Sequence, residues 1–156
     1  MEQTIKMEVL NQVAEVELIY KTKVKASERP FIKTSKDGYD LLLKTWDENK
    51  IDFVEQFKVL FLNRANRVLG IYEVSSGGIT GTVADPRLIF VAALRANACS
   101  IMISHNHPSG NLKPSLPDEQ LTQKIKQAGM FLDITLLDHI IVTTEGYYSF
   151  ADEGLL

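Results

Sequence analysis

Two histidines, His105 and His107, stand two apart in this chain, and an aspartate, Asp118, follows with ten residues between. Two imidazoles and a carboxylate make a zinc ligand set, and three protein ligands leave the fourth tetrahedral position to water. Zinc held in this way lowers the pKa of its water to about 7 and polarises a carbonyl, so the set suits hydrolysis at neutral pH. A His-x-His pair taken alone is more often structural than metal-binding. Here two further features point to a metal. The Pro108-Ser109-Gly110 run can bend the chain sharply back, and a helix start then presents Asp118 at a defined place.

The elements that must position these side chains are legible nearby. Ser100-Ile101-Met102-Ile103 reads as a buried strand leading into the histidines. On an extended segment, His105 and His107 project to one side and Asn106 to the other, as a loop hydrogen-bonder. Ser115-x-x-Asp118 has the shape of a capping box, Pro117 fits the first helical turn, and Leu121, Ile125 and Ala128 form a buried stripe, with Gly129 at the helix exit. Asp138 and His139 interrupt an apolar run and read as a buried structural pair bonded to backbone; orienting a metal ligand is the alternative for His139. Cys99, just ahead of a core strand, reads as a small buried apolar residue, and Arg87 as a helix-surface arginine.

Along the rest of the chain, alternation over residues 9–25 predicts one extended strand. A helix is expected from Ser35, capped by Ser35 or Asp37, with Tyr39, Leu42, Leu43 and Trp46 on its inner face and its end near Asn49. Phe57–Leu62 and Val68–Val74 read as a hairpin around residues 63–67, and Thr80–Val83 as a short strand. Asp85-Pro86 opens a helix ending near Asn97; Ile134–Thr143 holds one or two strands, and Tyr147–Phe150 closes the sheet. Helices set between strands give an α/β fold with a mixed central sheet.

At 156 residues the chain is long enough for a core that needs no disulfide or structural metal. The net charge is −3, and residues 1–50 carry nine basic and nine acidic side chains, leaving eight against eleven in residues 51–156. A protein that holds DNA by neutralising phosphates is expected to show a basic half or tail, so the balance weighs against nucleic acid as a partner. One cysteine excludes an intrachain disulfide and fits a reducing compartment, the cytoplasm. No apolar run approaches the roughly 18 residues of a membrane span.

The spacing His105-x-His107-Pro108, Ser115, Asp118 resembles the JAMM (MPN+/JAB) metalloprotease signature. The string Ser104–Gly110, with Pro114-Ser115, Leu137-Asp138-His139-Ile140-Ile141, Tyr147-Tyr148-Ser149, Asp85–Phe90 and Val59–Leu62, is similar to the RadC-like branch of that superfamily over about residues 50–154. Residues 1–50 do not resemble the helix-hairpin-helix segment of longer RadC proteins, so a short form is expected: an N-terminal extension over 1–50 packed on a RadC-like JAB/MPN+ domain over 51–156.

The resemblance implies a three-layer α/β arrangement of the JAMM and cytidine-deaminase type, a curved mixed β-sheet flanked by helices. It implies Zn²⁺ held by His105, His107 and Asp118, and a glutamate acting as general base. Glu55, just ahead of the Phe57–Leu62 strand, holds that glutamate's place, with Glu73 on the returning strand as competitor. The family's serine matches Ser115, whose hydroxyl would stabilise an oxyanion; its bland alternative is a helix cap alone. The activity implied is cleavage of a peptide or isopeptide bond in a protein or peptide substrate. The alternatives are a DNA-repair-associated role, as the RadC name suggests, and a non-catalytic module in which metal serves folding.

Overall fold

The computed structural model describes residues 12–17, 19–78 and 83–156. Five strands, β1 (Gln56–Leu62), β2 (Val68–Ser76), β3 (Ser100–Asn106), β4 (Thr135–Val142) and β5 (Tyr147–Ser149), form one sheet in the order β2-β1-β3-β4-β5. Only β3 and β4 run parallel; the other three pairings are antiparallel. The parallel pair needs a crossover, and α3 (Leu116–Phe131) supplies it. With α1 (Ser35–Thr45) and α2 (Pro86–Arg95), the sheet carries three helices, and the architecture is the expected mixed α/β fold.

Both faces of the sheet are covered, which is why β1 and β3 are buried at every position and carry continuous apolar runs rather than alternation. On one face Phe57, Val59, Phe61, Ile101 and Ile103 pack with Ile89, Phe90 and Ala93 of α2 and Ile125 of α3. On the other, Leu60, Leu62, Met102, Ile140 and Val142 meet Tyr39 and Leu42 of α1, with Trp46 just beyond it. The Ile125 stripe and the inner face of α1 thus lie where their spacing predicts.

Helix boundaries follow the capping chemistry. Thr34, not Ser35, caps α1: its hydroxyl accepts from the Asp37 N–H while the Asp37 carboxylate takes the Thr34 N–H in return. The helix stops at Thr45, four residues before the expected end, because Trp46 turns extended to bury its ring. At α3 the helix runs two residues past Gly129, and the left-handed residue that ends it is Asp133, at φ 54°.

Gly129 has a packing role instead. A Cβ there would sit 2.3 Å from the Ile134 carbonyl oxygen, a backbone atom, whereas one on Gly38 would meet the end of the flexible Met102 side chain. Gly129→Ala is therefore expected to destabilise by about 1–3 kcal/mol, although alanine is the better helix former, and Gly38→Ala by less. Urea denaturation of the two variants checks this; a Gly129→Ala midpoint at or above the wild type would refute it.

Three further expectations about the fold fail. Residues 12–17 and 19–25 form no strand; 9–11 and 18 lie outside the described residues. Alternation cannot supply a ladder partner, and this run is exposed, tied down by the Tyr20 hydroxyl to the Leu69 carbonyl and by Arg95 to the Ile19 carbonyl. Of Thr80–Val83, residues 80–82 lie outside the described residues and Val83 is in no strand. Cys99 is exposed, because it stands at the open end of the sheet, one residue before β3 begins.

Candidate metal centre

β3 continues three residues beyond the apolar run that announced it, carrying His105 and Asn106 inside the sheet. His105 pairs with Phe57 of β1, and the two rings lie parallel with centroids 6.1 Å apart. His107 follows directly, its N–H on the Val142 carbonyl. The chain then turns at Gly110, whose φ of +80° is a conformation that favours glycine, and the Asn111 carbonyl comes back to accept from His107 Nδ1. A neutral His107 therefore keeps its Nε2 lone pair free.

Ser115 caps α3 with the full capping box: its hydroxyl accepts from the Asp118 N–H at 3.2 Å, and Asp118 Oδ2 accepts the Ser115 N–H at 2.7 Å. The same carboxylate faces the histidines. His105 Nε2 is 2.9 Å from His107 Nε2 and 3.4 Å from Asp118 Oδ1, and His107 Nε2 is 3.8 Å from Asp118 Oδ2. Capping and ligation are thus not competing readings of Asp118; one side chain does the first and is placed for the second. The two histidine–aspartate distances run to different carboxylate oxygens, and one donor atom from each of the three residues lies within 4.8 Å of the others, close enough to share one ion. Side-chain exposure rises from 4% at His105 to 14% at His107 and 18% at Asp118, so the cluster is closed toward the sheet and open at one side. Among the described residues, this is the group of histidine, cysteine and acid side chains close enough to hold a metal ion.

Burial works against ionising Asp118, but the adjoining His105, then the Ser115 N–H and hydroxyl, outweigh it and hold the carboxyl well below the usual carboxylate range. It is ready to bind a cation without first losing a proton.

Residues 32–155 match the family described as RadC-like JAB domain. The chain belongs to the RadC-like JAB domain family. Its relatives include UPF0758 proteins of Flavobacterium johnsoniae, 52% identical over 101 residues, and of Chlorobaculum parvum, 46% identical over 110 residues. A UPF0758 protein of Symbiobacterium thermophilum is 42% identical over 103 residues. These alignments cover 65%, 70% and 66% of this chain and 44%, 48% and 44% of the relatives, so the chain spans about half the length of the proteins it matches. Among the described residues no helix is long and apolar enough to cross a membrane.

Within this RadC-like JAB domain, Glu55 stands one residue ahead of β1, half-buried, in the alternation phase of Phe57 and so of His105. Glu73 pairs with Lys58 in the opposite phase, on the α1 face of the sheet and exposed. The topology thus sets Glu55, and not Glu73, on the side of the histidines. What holds the Glu55 segment is Asn106. Its side chain, fully buried, accepts from the Gln56 N–H at 2.7 Å and donates to the carbonyls of Ile51 at 2.7 Å and Val54 at 2.8 Å. The residue between the two histidines does point the other way, as alternation requires, but it ties the strand of His105 to the segment that carries Glu55.

The reading of Asp138 holds, since its carboxylate accepts from the His139 and Ala151 N–H groups and the Ser149 hydroxyl. His139 is different: its ring bonds no backbone group but touches His105 Nδ1 and Thr122 Oγ1. Burial first, and then the neighbouring His105, push it well below the ordinary imidazole range, so it is neutral. Sequence reasoning missed Thr122, and the signal that could have found it is its place one helical turn after Asp118, in line with Ile125. Arg87 is the exposed arginine expected, paired with Asp85.

Proposed function

We propose that this RadC-like JAB domain is a zinc-dependent hydrolase that cleaves an amide bond, peptide or isopeptide, in a protein or peptide substrate. One observation carries the reading: two imidazoles and a carboxylate converge with one ligand atom from each within 4.8 Å of the others. A structural zinc site is normally closed by four protein ligands, and a set of three keeps a position for chemistry. His105, His107 and Asp118 would hold the ion, which when bound supplies a Lewis acid and acidifies water. Glu55 is the general base, taking a proton from the attacking water and passing it to the leaving amine. Ser115 accepts at its oxygen from the Asp118 N–H, and its hydroxyl proton, turned toward the Asp118 carboxylate in the resting site, is the one it would give to the oxyanion. The single cysteine, with no intrachain partner, supports a reducing compartment, the cytoplasm.

Metal analysis of the purified chain is expected to give about one zinc per molecule, with His107→Ala retaining far less. Incubation of the zinc form with a pool of linear and isopeptide-linked peptides is expected to give metal-dependent cleavage, and incubation with nicked or branched DNA none. A wild type without stoichiometric zinc, a His107→Ala variant that binds as much as the wild type, or cleavage of DNA instead of peptides would each overturn the reading.

A further inference from the structure

Thr122 and His139 lie outside the ligand set, and both are fully buried. Thr122 sits one helical turn beyond Asp118, with its hydroxyl 2.7 Å from the Asp118 carbonyl oxygen. A carbonyl only accepts, so the single hydroxyl proton is committed there. The same hydroxyl oxygen is 2.6 Å from His139 Nδ1 and has only a lone pair to offer, so Nδ1 carries a proton. A neutral imidazole has one N–H, which leaves His139 Nε2 bare. That atom lies 2.8 Å from His105 Nδ1, which must donate to it. The one proton of a neutral His105 is therefore on Nδ1, and its Nε2 lone pair points toward His107 and Asp118.

The relay is also held sterically. The His139 ring stacks on Phe150 with centroids 4.5 Å apart and is flanked by Phe57 at 5.9 Å. The outer partner of a metal-ligating histidine is usually a carboxylate, a backbone carbonyl or water. Here it is a second imidazole, whose polarity is set by a threonine hydroxyl, and the relay ends on the backbone of Asp118, another member of the ligand set.

We propose that Thr122 and His139 are positioning residues that fix His105 in its Nδ1–H tautomer and thereby set the metal affinity of the site. This rests on the reading that His105, His107 and Asp118 hold the metal. Without the hydroxyl, His139 is free to take the opposite tautomer and donate to His105 Nδ1, which moves the His105 proton onto the nitrogen that faces the ligands.

The test uses the full chain and zinc alone, titrated against a competing chelator. Thr122→Val, which keeps the shape and loses the hydroxyl, is expected to weaken zinc binding about ten- to hundredfold, while Thr122→Ser stays within about threefold of the wild type. Nitrogen-15 NMR of the metal-free wild type at mildly alkaline pH is expected to show His105 protonated at Nδ1. A Thr122→Val variant that is folded by circular dichroism and binds zinc like the wild type overturns the proposal. So does an Nε2–H tautomer of His105 in the wild type. A wild type that takes up no zinc sinks the metal reading instead, and the tautomer, measured without metal, then decides the relay.

Discussion

Replacing Glu55 by glutamine is expected to lower kcat for peptide cleavage by about 10²–10⁴-fold, the usual contribution of a positioned general base, with zinc content unchanged. The two effects separate because Glu55 is outside the cluster of His105, His107 and Asp118, so its loss removes a proton acceptor and no ligand. Glutamine keeps the size and hydrogen-bonding reach of glutamate but cannot take a proton at neutral pH. The same substitution at Glu73 is expected to leave kcat within about twofold, since Glu73 opposes Lys58 on the face of the sheet away from the histidines. Steady-state kinetics of both variants with the zinc form, beside metal analysis, make the comparison. A Glu55→Gln enzyme with wild-type kcat, or a loss that follows Glu73 instead, would remove Glu55 from the role of base.

The largest expected effect on stability belongs to Asn106. Asn106→Ala strips partners from two buried backbone groups, the Gln56 N–H and the Ile51 carbonyl, and from the half-buried Val54 carbonyl. Leaving a buried polar group unpaired costs about 1–3 kcal/mol, so the variant is expected to lose several kcal/mol, a large part of the 5–15 kcal/mol that holds a typical domain together. Asn106→Asp keeps the acceptor for Gln56 but sets carboxylate oxygen against two carbonyls, and it is expected to fare no better. Denaturant unfolding measures the loss. Asn106→Ala should also free the segment carrying Glu55, so in whatever fraction stays folded kcat is expected to fall while His105 and His107 still bind zinc. A variant as stable as the wild type would show that these three bonds contribute little to the fold.

Those two residues also mark where sequence reasoning stops. His105, His107 and Asp118 were legible as a candidate ligand set because spacing determines much of their geometry: period-two alternation puts the histidines on one side, and a capping box fixes the start of a helix. The buried stripes of α1 and α3 and the hairpin of β1 and β2 were legible for the same reason, since hydrophobic periodicity is a local property. Residues 9–25 show its limit, for alternation describes a strand's faces and says nothing of a neighbour to pair with.

By itself, then, the amino-acid sequence determined the candidate His-His-Asp triad and the helix that delivers Asp118, because each depends on residues within a few turns of one another, and the α/β class, because the order of helices and strands is written along the chain. Only the tertiary structure decided that Glu55 shares a face with His105 and Glu73 does not, that Asn106 ties the two strands, and that Thr122 and His139 set the tautomer of His105. The first is a matter of strand register between residues 50 positions apart, and the other two rest on contacts between residues 17 to 55 positions apart. No local periodicity encodes such contacts; they exist only once β1, β3, β4 and α3 have packed around one core.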